Sequence, residues 1–201
     1  MKKLAYIFLP VLLVACGGAE SEETTENEVE TDTTTVVEEE PDNKSNRKSP
    51  RMNKSGDVFG LTIGLDYGSP RVKGRTIWGD LVPYDKVWRA GADEVSAISF
   101  NQAAFFGGEE IEPGTYGMFI IPKENEDWVF ILNEEWSKEE HDVWGAYDYK
   151  EDKDVLRLDV TPEWMPDSAE ELSYDITDDG NLEFTWEKVK LTISVGPVTP
   201  S

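Results

Sequence analysis

The property that most constrains this chain is the period of its apolar residues, which is two rather than 3.6 from about residue 59 onward. Phe59, Leu61, Ile63, Leu65 and Tyr67 alternate with Val58, Gly60, Thr62, Gly64 and Asp66, the pattern of a strand with one buried face. The alternation recurs at 115–121, 128–133, 155–161, 172–177, 182–187 and 189–195, with shorter candidates at 75–78, 95–100 and 103–106. Gly107-Gly108, Pro113-Gly114, Asn125-Glu126-Asp127 and Asp178-Asp179-Gly180-Asn181 punctuate these runs. The last predicts a tight hairpin, because Gly and Asn tolerate the positive φ that such turns need. No long stretch has helical spacing, and residues 134–141 are read as one or two helical turns. Nine or ten antiparallel strands cannot hide their apolar faces in one sheet. The expected fold is therefore all-β, a single antiparallel β-sandwich of jelly-roll-like topology over residues 55–201.

The residues before that domain carry an address. Lys2 and Lys3 are followed by an apolar run over 4–15 that ends at Ala15 and the chain's only cysteine, Cys16. The run is too short to span a bilayer stably and has the layout of a secretory signal. With cysteine directly after the small residue, it resembles a bacterial lipoprotein signal. That resemblance implies that residues 1–15 are removed and that Cys16 is acylated as a membrane anchor. Gly17 after the cysteine points to the outer membrane, and Ser21-Glu22-Glu23 is similar to the surface-export signals of Bacteroidota lipoproteins. An acylated Cys16 leaves no thiol for a disulfide, a metal site or a nucleophile.

Residues 16–54 read as a linker with two halves. Between 17 and 43 lie eleven Asp or Glu and no Lys or Arg, a composition that cannot bury enough apolar surface to order itself. Lys44, Arg47, Lys48, Arg51 and Lys54 follow with no acid among them, either a patch for anionic headgroups or sugars or simply a soluble linker. The whole chain has a net charge of −23, which repels phosphate backbones and argues against nucleic acid as a partner.

The catalytic inventory is thin. His141 is the only histidine, so a multi-histidine metal site is excluded, and no Gly-x-Ser-x-Gly elbow is present. Asp175, Asp178 and Asp179 offer oxygen ligands for calcium but lack the spacing of a calcium loop. Carboxylates are too abundant for a glycosidase pair to be singled out by reading. The expectation is a protein without cofactor or metal, leaning away from an enzyme.

The run Tyr67-Gly68-Ser69-Pro70-Arg71-Val72-Lys73-Gly74-Arg75-Thr76-Ile77-Trp78-Gly79 leads into Leu81-Val82-Pro83-Tyr84-Asp85-Lys86-Val87-Trp88-Arg89-Ala90-Gly91-Ala92-Asp93-Glu94. With Pro113-Gly114-Thr115-Tyr116, Trp144-Gly145-Ala146-Tyr147 and Asp154-Val155-Leu156-Arg157, it resembles domain of unknown function 2911, a family common in Bacteroidota. The resemblance covers about 61–161 and is strongest over 73–94; the family pattern more often has Asn where this chain has Asp93. It implies an exported all-β domain and no established activity.

The block 73–94 sets Lys73, Arg75 and Arg89 beside Trp78, Tyr84 and Trp88, with Asp93 and Glu94 closing it. One reading is a pocket in which arginines hold an anion and indoles stack on a sugar ring. The other is a clamp, with Arg89 paired to Asp93 or Glu94 to tie down a long crossover. The candidate ligand residues are Arg75, Trp78, Trp88, Arg89 and Glu94, with Tyr116 and Tyr147 further out. Trp128 and Trp186 fall on core-facing strand positions, whereas Trp136, Trp144 and Trp164 fall in predicted loops as candidate sugar platforms. The leading functional expectation is a non-enzymatic outer-membrane lipoprotein that binds a glycan, a peptide or an envelope partner. The alternatives are a glycan hydrolase with paired carboxylates and a structural or assembly subunit of the envelope.

Overall fold

The computed structural model describes residues 48–198; Cys16, the signal segment and the acidic stretch 17–43 lie outside them. The order is β1 (Arg51–Val58), β2 (Leu61–Gly68), β3 (Ser96–Phe100), β4 (Ala104–Phe106), β5 (Glu109–Ile111), β6 (Gly114–Ile121) and β7 (Trp128–Asn133). A single helical turn α1 (Lys138–His141) precedes β8 (Asp154–Val160), β9 (Glu163–Thr177) and β10 (Asn181–Pro197). Two antiparallel sheets result, one in the order β1-β2-β3-β6-β7-β8 and the other β5-β4-β10-β9. Their inner faces meet over Leu61, Ile63, Leu65, Ile98, Phe130 and Leu132 from one sheet and Phe106, Phe184, Trp186, Leu191 and Ile193 from the other. This is the expected β-sandwich.

Several boundaries differ from the expectation, each for a local reason. β1 begins at Arg51, inside the stretch read as linker, and pairs along its whole length with β2. The two strands are joined through Phe59 and Gly60, both at positive φ (51° and 86°), as a two-residue hairpin requires. Residues 75–78 form no strand, only an isolated bridge from Trp78 to Val82. Residues 182–187 and 189–195 belong to one strand, β10, interrupted by a bulge with Glu187 at φ 53°. Trp164 lies on β9, opposite Val189, rather than in a loop.

Candidate functional site

Between β2 and β3 the chain leaves the larger sheet for residues 69–95 and crosses to the smaller one. Its first leg runs beside β9: Ser69 Oγ donates to Leu172 O (2.7 Å), Leu172 N to Pro70 O (3.0 Å) and Val72 N to Glu170 O (2.8 Å). Lys73 and Gly74, both at positive φ, reverse the chain. The return leg docks on β6, where Trp88 and Ile120 exchange two backbone hydrogen bonds of 2.8 Å. A long irregular segment can be buried only if its backbone groups are paired in this way.

Four indoles meet where the crossover covers the core, Trp78 and Trp88 from the crossover itself, Trp128 from β7 and Trp186 from β10. Trp88 and Trp186 stack with centroids 5.6 Å apart, and Trp78 meets Trp88, Trp128 and Trp186 edge-on at 5.9, 4.6 and 5.6 Å. Trp128 donates its Nε1 to Lys123 O (2.8 Å). The Nε1 atoms of Trp78 and Trp186 are buried without a partner. Trp128 and Trp186 are core residues, as expected. Trp78 joins them there and does not line the open space.

That space is a cleft of about 340 Å³ between the crossover and β10, with Trp88 and Trp186 among its walls. Its charge is opposite to that of the chain. Lys48, Arg71, Lys73, Arg75 and Arg89 all line it, five of the 19 lysines and arginines in the sequence, against one carboxylate, Asp93. Arg71 pairs with Glu171. Arg75 is anchored by donating Nε to Val72 O (3.1 Å) and Nη2 to Arg71 O, with no carboxylate beside it among the described residues.

Arg89 is the most unusual of the five. No hydrogen bond or ion pair ties its guanidinium to any described residue, and its Nε is buried without a partner. An uncompensated, partly buried charge is costly in a protein, and here it occurs in a chain rich in acids. Its backbone is over-determined. Ala90 is held at φ 51°, a left-handed conformation that costs a non-glycine residue roughly 1–2 kcal/mol. The Ala90 carbonyl accepts from Ser96 Oγ (3.0 Å) and from Tyr174 OH (2.8 Å), both bonds buried. Gly145 backs the side chain, since a Cβ there would stand 3.2 Å from Arg89 Cδ. Backbone strain and unpartnered buried polar atoms both concentrate at functional sites, and here they occur on neighbouring residues.

The structure overturns the expected Arg89 clamp. Between Ala90 and Asp93, both left-handed, the chain turns Glu94 away, and Glu94 lies 3.8 Å from Arg51 Nη1 instead. Of the candidate residues, Arg75, Trp88 and Arg89 line the cleft, whereas Trp78 lies behind it and Glu94 does not line it. Tyr116 donates to Glu112 O (2.9 Å) and lines a separate surface groove with Glu110 and Glu134. Tyr147 is 91% exposed on the loop that carries Gly145. Lys48 and Trp186 also line the cleft. Lys48 belongs to the basic run 44–54, for which the sequence leaves open both an anion patch and a plain linker, and Trp186 carries only a core signal.

The remaining catalytic and metal candidates have structural roles. His141 Nδ1 accepts from the backbone of Trp136 and Ser137 at 3.3 and 3.4 Å. Asp175 pairs with Lys54 at 2.6 Å. Asp179 is held below the usual carboxylate range by hydrogen bonds from Thr177 and Asn181 within the β9–β10 turn. Among the described residues no group of three or more His, Cys, Asp or Glu could hold a metal ion.

Tyr174 carries a pH signature for this site. Its hydroxyl is fully buried, and burial together with nearby Tyr67 raises its pKa well above 10. Burial and the Asp154 carboxylate likewise push up Tyr149. A raised folded pKa means that stability is fully present below the unfolded value, about 10, and is lost as pH rises through the folded values. Base-induced unfolding is expected to begin above about pH 10. Absorbance at 295 nm should show these two phenolates forming together with the loss of near-ultraviolet circular dichroism. Their ionisation in a still-folded protein would contradict the assignment.

A family model described as "Protein of unknown function (DUF2911)" matches residues 49–195. The chain belongs to this family. The match takes in both sheets, the crossover and all the cleft residues except Lys48. Comparison with curated proteins and with solved structures finds no match.

Proposed function

We propose that this protein is a non-enzymatic binding module of the bacterial cell envelope, anchored to the outer membrane through an acylated Cys16, whose cleft takes an anionic glycan ligand. The observation that carries the reading is Arg89, unpaired and partly buried in a basic cleft of a strongly acidic protein. A predominantly basic cleft with low-dielectric walls concentrates anions. The acidic remainder of the chain repels anions elsewhere. Trp144 and Tyr147, 46% and 91% exposed, lie on the same loop as Gly145 and outside the cleft lining, so aromatic rings suited to a sugar face are carried on the loop that backs Arg89. The cleft has one carboxylate, Asp93, whereas glycoside hydrolysis by the usual route needs two across the scissile bond.

A glycan-binding screen of the full chain in detergent tests this. Acidic glycans are expected to bind and their neutral counterparts not. Arg89→Ala is expected to weaken binding about 10- to 100-fold, the loss of a charge-assisted hydrogen bond. Because Arg89 has no charged partner within the described residues, the melting temperature should fall little. Equal binding of neutral glycans, or an Arg89→Ala variant that melts much lower yet binds as before, would return Arg89 to a structural role.

A further inference from the structure

The charges and donors in the cleft also select among anions, an inference that rests on the anion-binding reading above. We infer that the group bound beside Arg89 is a phosphomonoester carried on a hydroxylated group, as in a sugar phosphate. The side-chain cations of Lys48, Lys73, Arg75 and Arg89 form no ion pair among the described residues; the Glu170 carboxylate accepts from the backbone N of Lys73 (3.0 Å) without lining the cleft, and Asp93 is the one acid that does. A carboxylate brings one charge and two oxygens, and a single guanidinium fork neutralises that charge while engaging both oxygens. It would leave the other cations uncompensated. A phosphomonoester brings about −1.5 to −2 charges at neutral pH and three strong acceptor oxygens. It can therefore face Arg89 and the ammonium groups of Lys48 and Lys73 at once.

The positions of these donors favour the same ligand. They come from three separate segments: Lys48 ahead of β1, Lys73 at the reversal of the crossover, and Arg89 at its return. Donors carried on three separate segments of one cleft suit a tetrahedral group better than a planar one. A cleft of about 340 Å³ lies within the range of small-molecule sites, with more room than the anion alone needs. Asp93 is the only acidic side chain lining it. A lone acceptor among donors is suited to a hydroxyl on the carrier and acts against the anion itself.

The test is a calorimetric titration of the full chain with glucose 6-phosphate, inorganic phosphate, sulfate and glucuronate, repeated with Arg89→Ala, Lys73→Ala and Asp93→Asn. Glucose 6-phosphate is expected to bind at least about tenfold more tightly than glucuronate, with inorganic phosphate competing for the same site. Arg89→Ala should lose about tenfold or more, and Lys73→Ala a smaller factor. Asp93→Asn keeps a residue that tolerates φ 63° and removes the one repulsive charge, so inorganic phosphate should bind severalfold tighter. That gain cannot come from a damaged fold. Glucuronate binding as tightly as glucose 6-phosphate, and lost in Arg89→Ala, would overturn the phosphate assignment while leaving the anion cleft in place. No binding of any of the four anions, or binding that Arg89→Ala leaves unchanged, would overturn both.

Discussion

Gly68→Ala is expected to destabilise the domain by about 3 kcal/mol or more, a large effect for one added methyl group. Gly68 ends β2 and is buried against the backbone of residues 91–92. A Cβ there would fall inside the van der Waals envelope of the Ala92 carbonyl oxygen and 2.9 Å from the carbonyl carbon. No side chain can rotate away to relieve this contact, because the atoms it meets are main chain. Gly91 faces Gly68 in the same contact, where a Cβ would stand 3.1 Å from Gly68 O. Ala92 N donates to that oxygen at 3.3 Å. The substitution must therefore push the end of the crossover off β2 and disturb the strained turn at Ala90. In a domain of this size each kcal/mol moves the midpoint by about 2–4 °C, so the melting temperature should fall by roughly 6–12 °C or more. Thermal unfolding followed by circular dichroism measures it. Gly64→Ala is the control, because the atom its Cβ would meet is the rotatable Ser99 hydroxyl. Equal losses in the two variants would mean that the Gly68 contact is not what holds the crossover.

The contrast between legible and illegible parts of this fold follows from how burial writes itself into sequence. β2 and β10 bury one face, so alternate positions must be apolar and the period shows. β6 and β7 also bury Phe119 and Ile131 against Val95 and Val143, so their apolar residues run on without alternating. β1 is an edge strand whose residues are mostly half-buried or exposed. Its pairing with β2 is carried by backbone, which leaves no mark on residue type. The three residues of β5 are too few to establish a period. In β10 the inward parity changes from Leu182, Phe184 and Trp186 to Val189, Leu191 and Ile193. A change of parity reads as two strands, but the bulge at Glu187 absorbs it within one.

The same distinction governs the cleft. Arg75, Trp88 and Arg89 were within reach of sequence reading because one short block holds them. Lys48 and Trp186 arrive from far along the chain, so only the sheet order brings them in. Nearness in sequence also misled. Glu94 is five residues from Arg89, yet two left-handed residues between them direct it to Arg51. Asp93 closes that short block in sequence, and in space it is the single acid lining a cleft of cations.

Asn133→Ala should be the second costly change, at about 3–5 kcal/mol. Asn133 ends β7 with its side chain almost wholly buried. Its Nδ2 donates to Lys150 O (2.9 Å) and Asp154 Oδ1 (2.8 Å), and its Oδ1 accepts from Glu135 N (2.9 Å). One amide thus ties both ends of the loop 134–153 to the sheet. Asp154 Oδ2 accepts from Tyr149 OH (2.6 Å) and Arg157 Nη1 (2.7 Å), so removing the amide leaves a buried network partly unsatisfied rather than absent, the more costly case. Asn133→Asp separates hydrogen bonding from volume. It keeps the acceptor for Glu135 but sets a second carboxylate beside Asp154. Two carboxylates at that distance cannot both ionise cheaply, so this variant should be less stable at pH 8 than at pH 5 relative to wild type. The loop carries Gly145 against Arg89, so both substitutions should also weaken anion binding without touching the cleft. A stability loss with unchanged affinity would show that the loop serves the fold alone, and that Arg89 is positioned by Ala90, Ser96 and Tyr174 without help from Gly145.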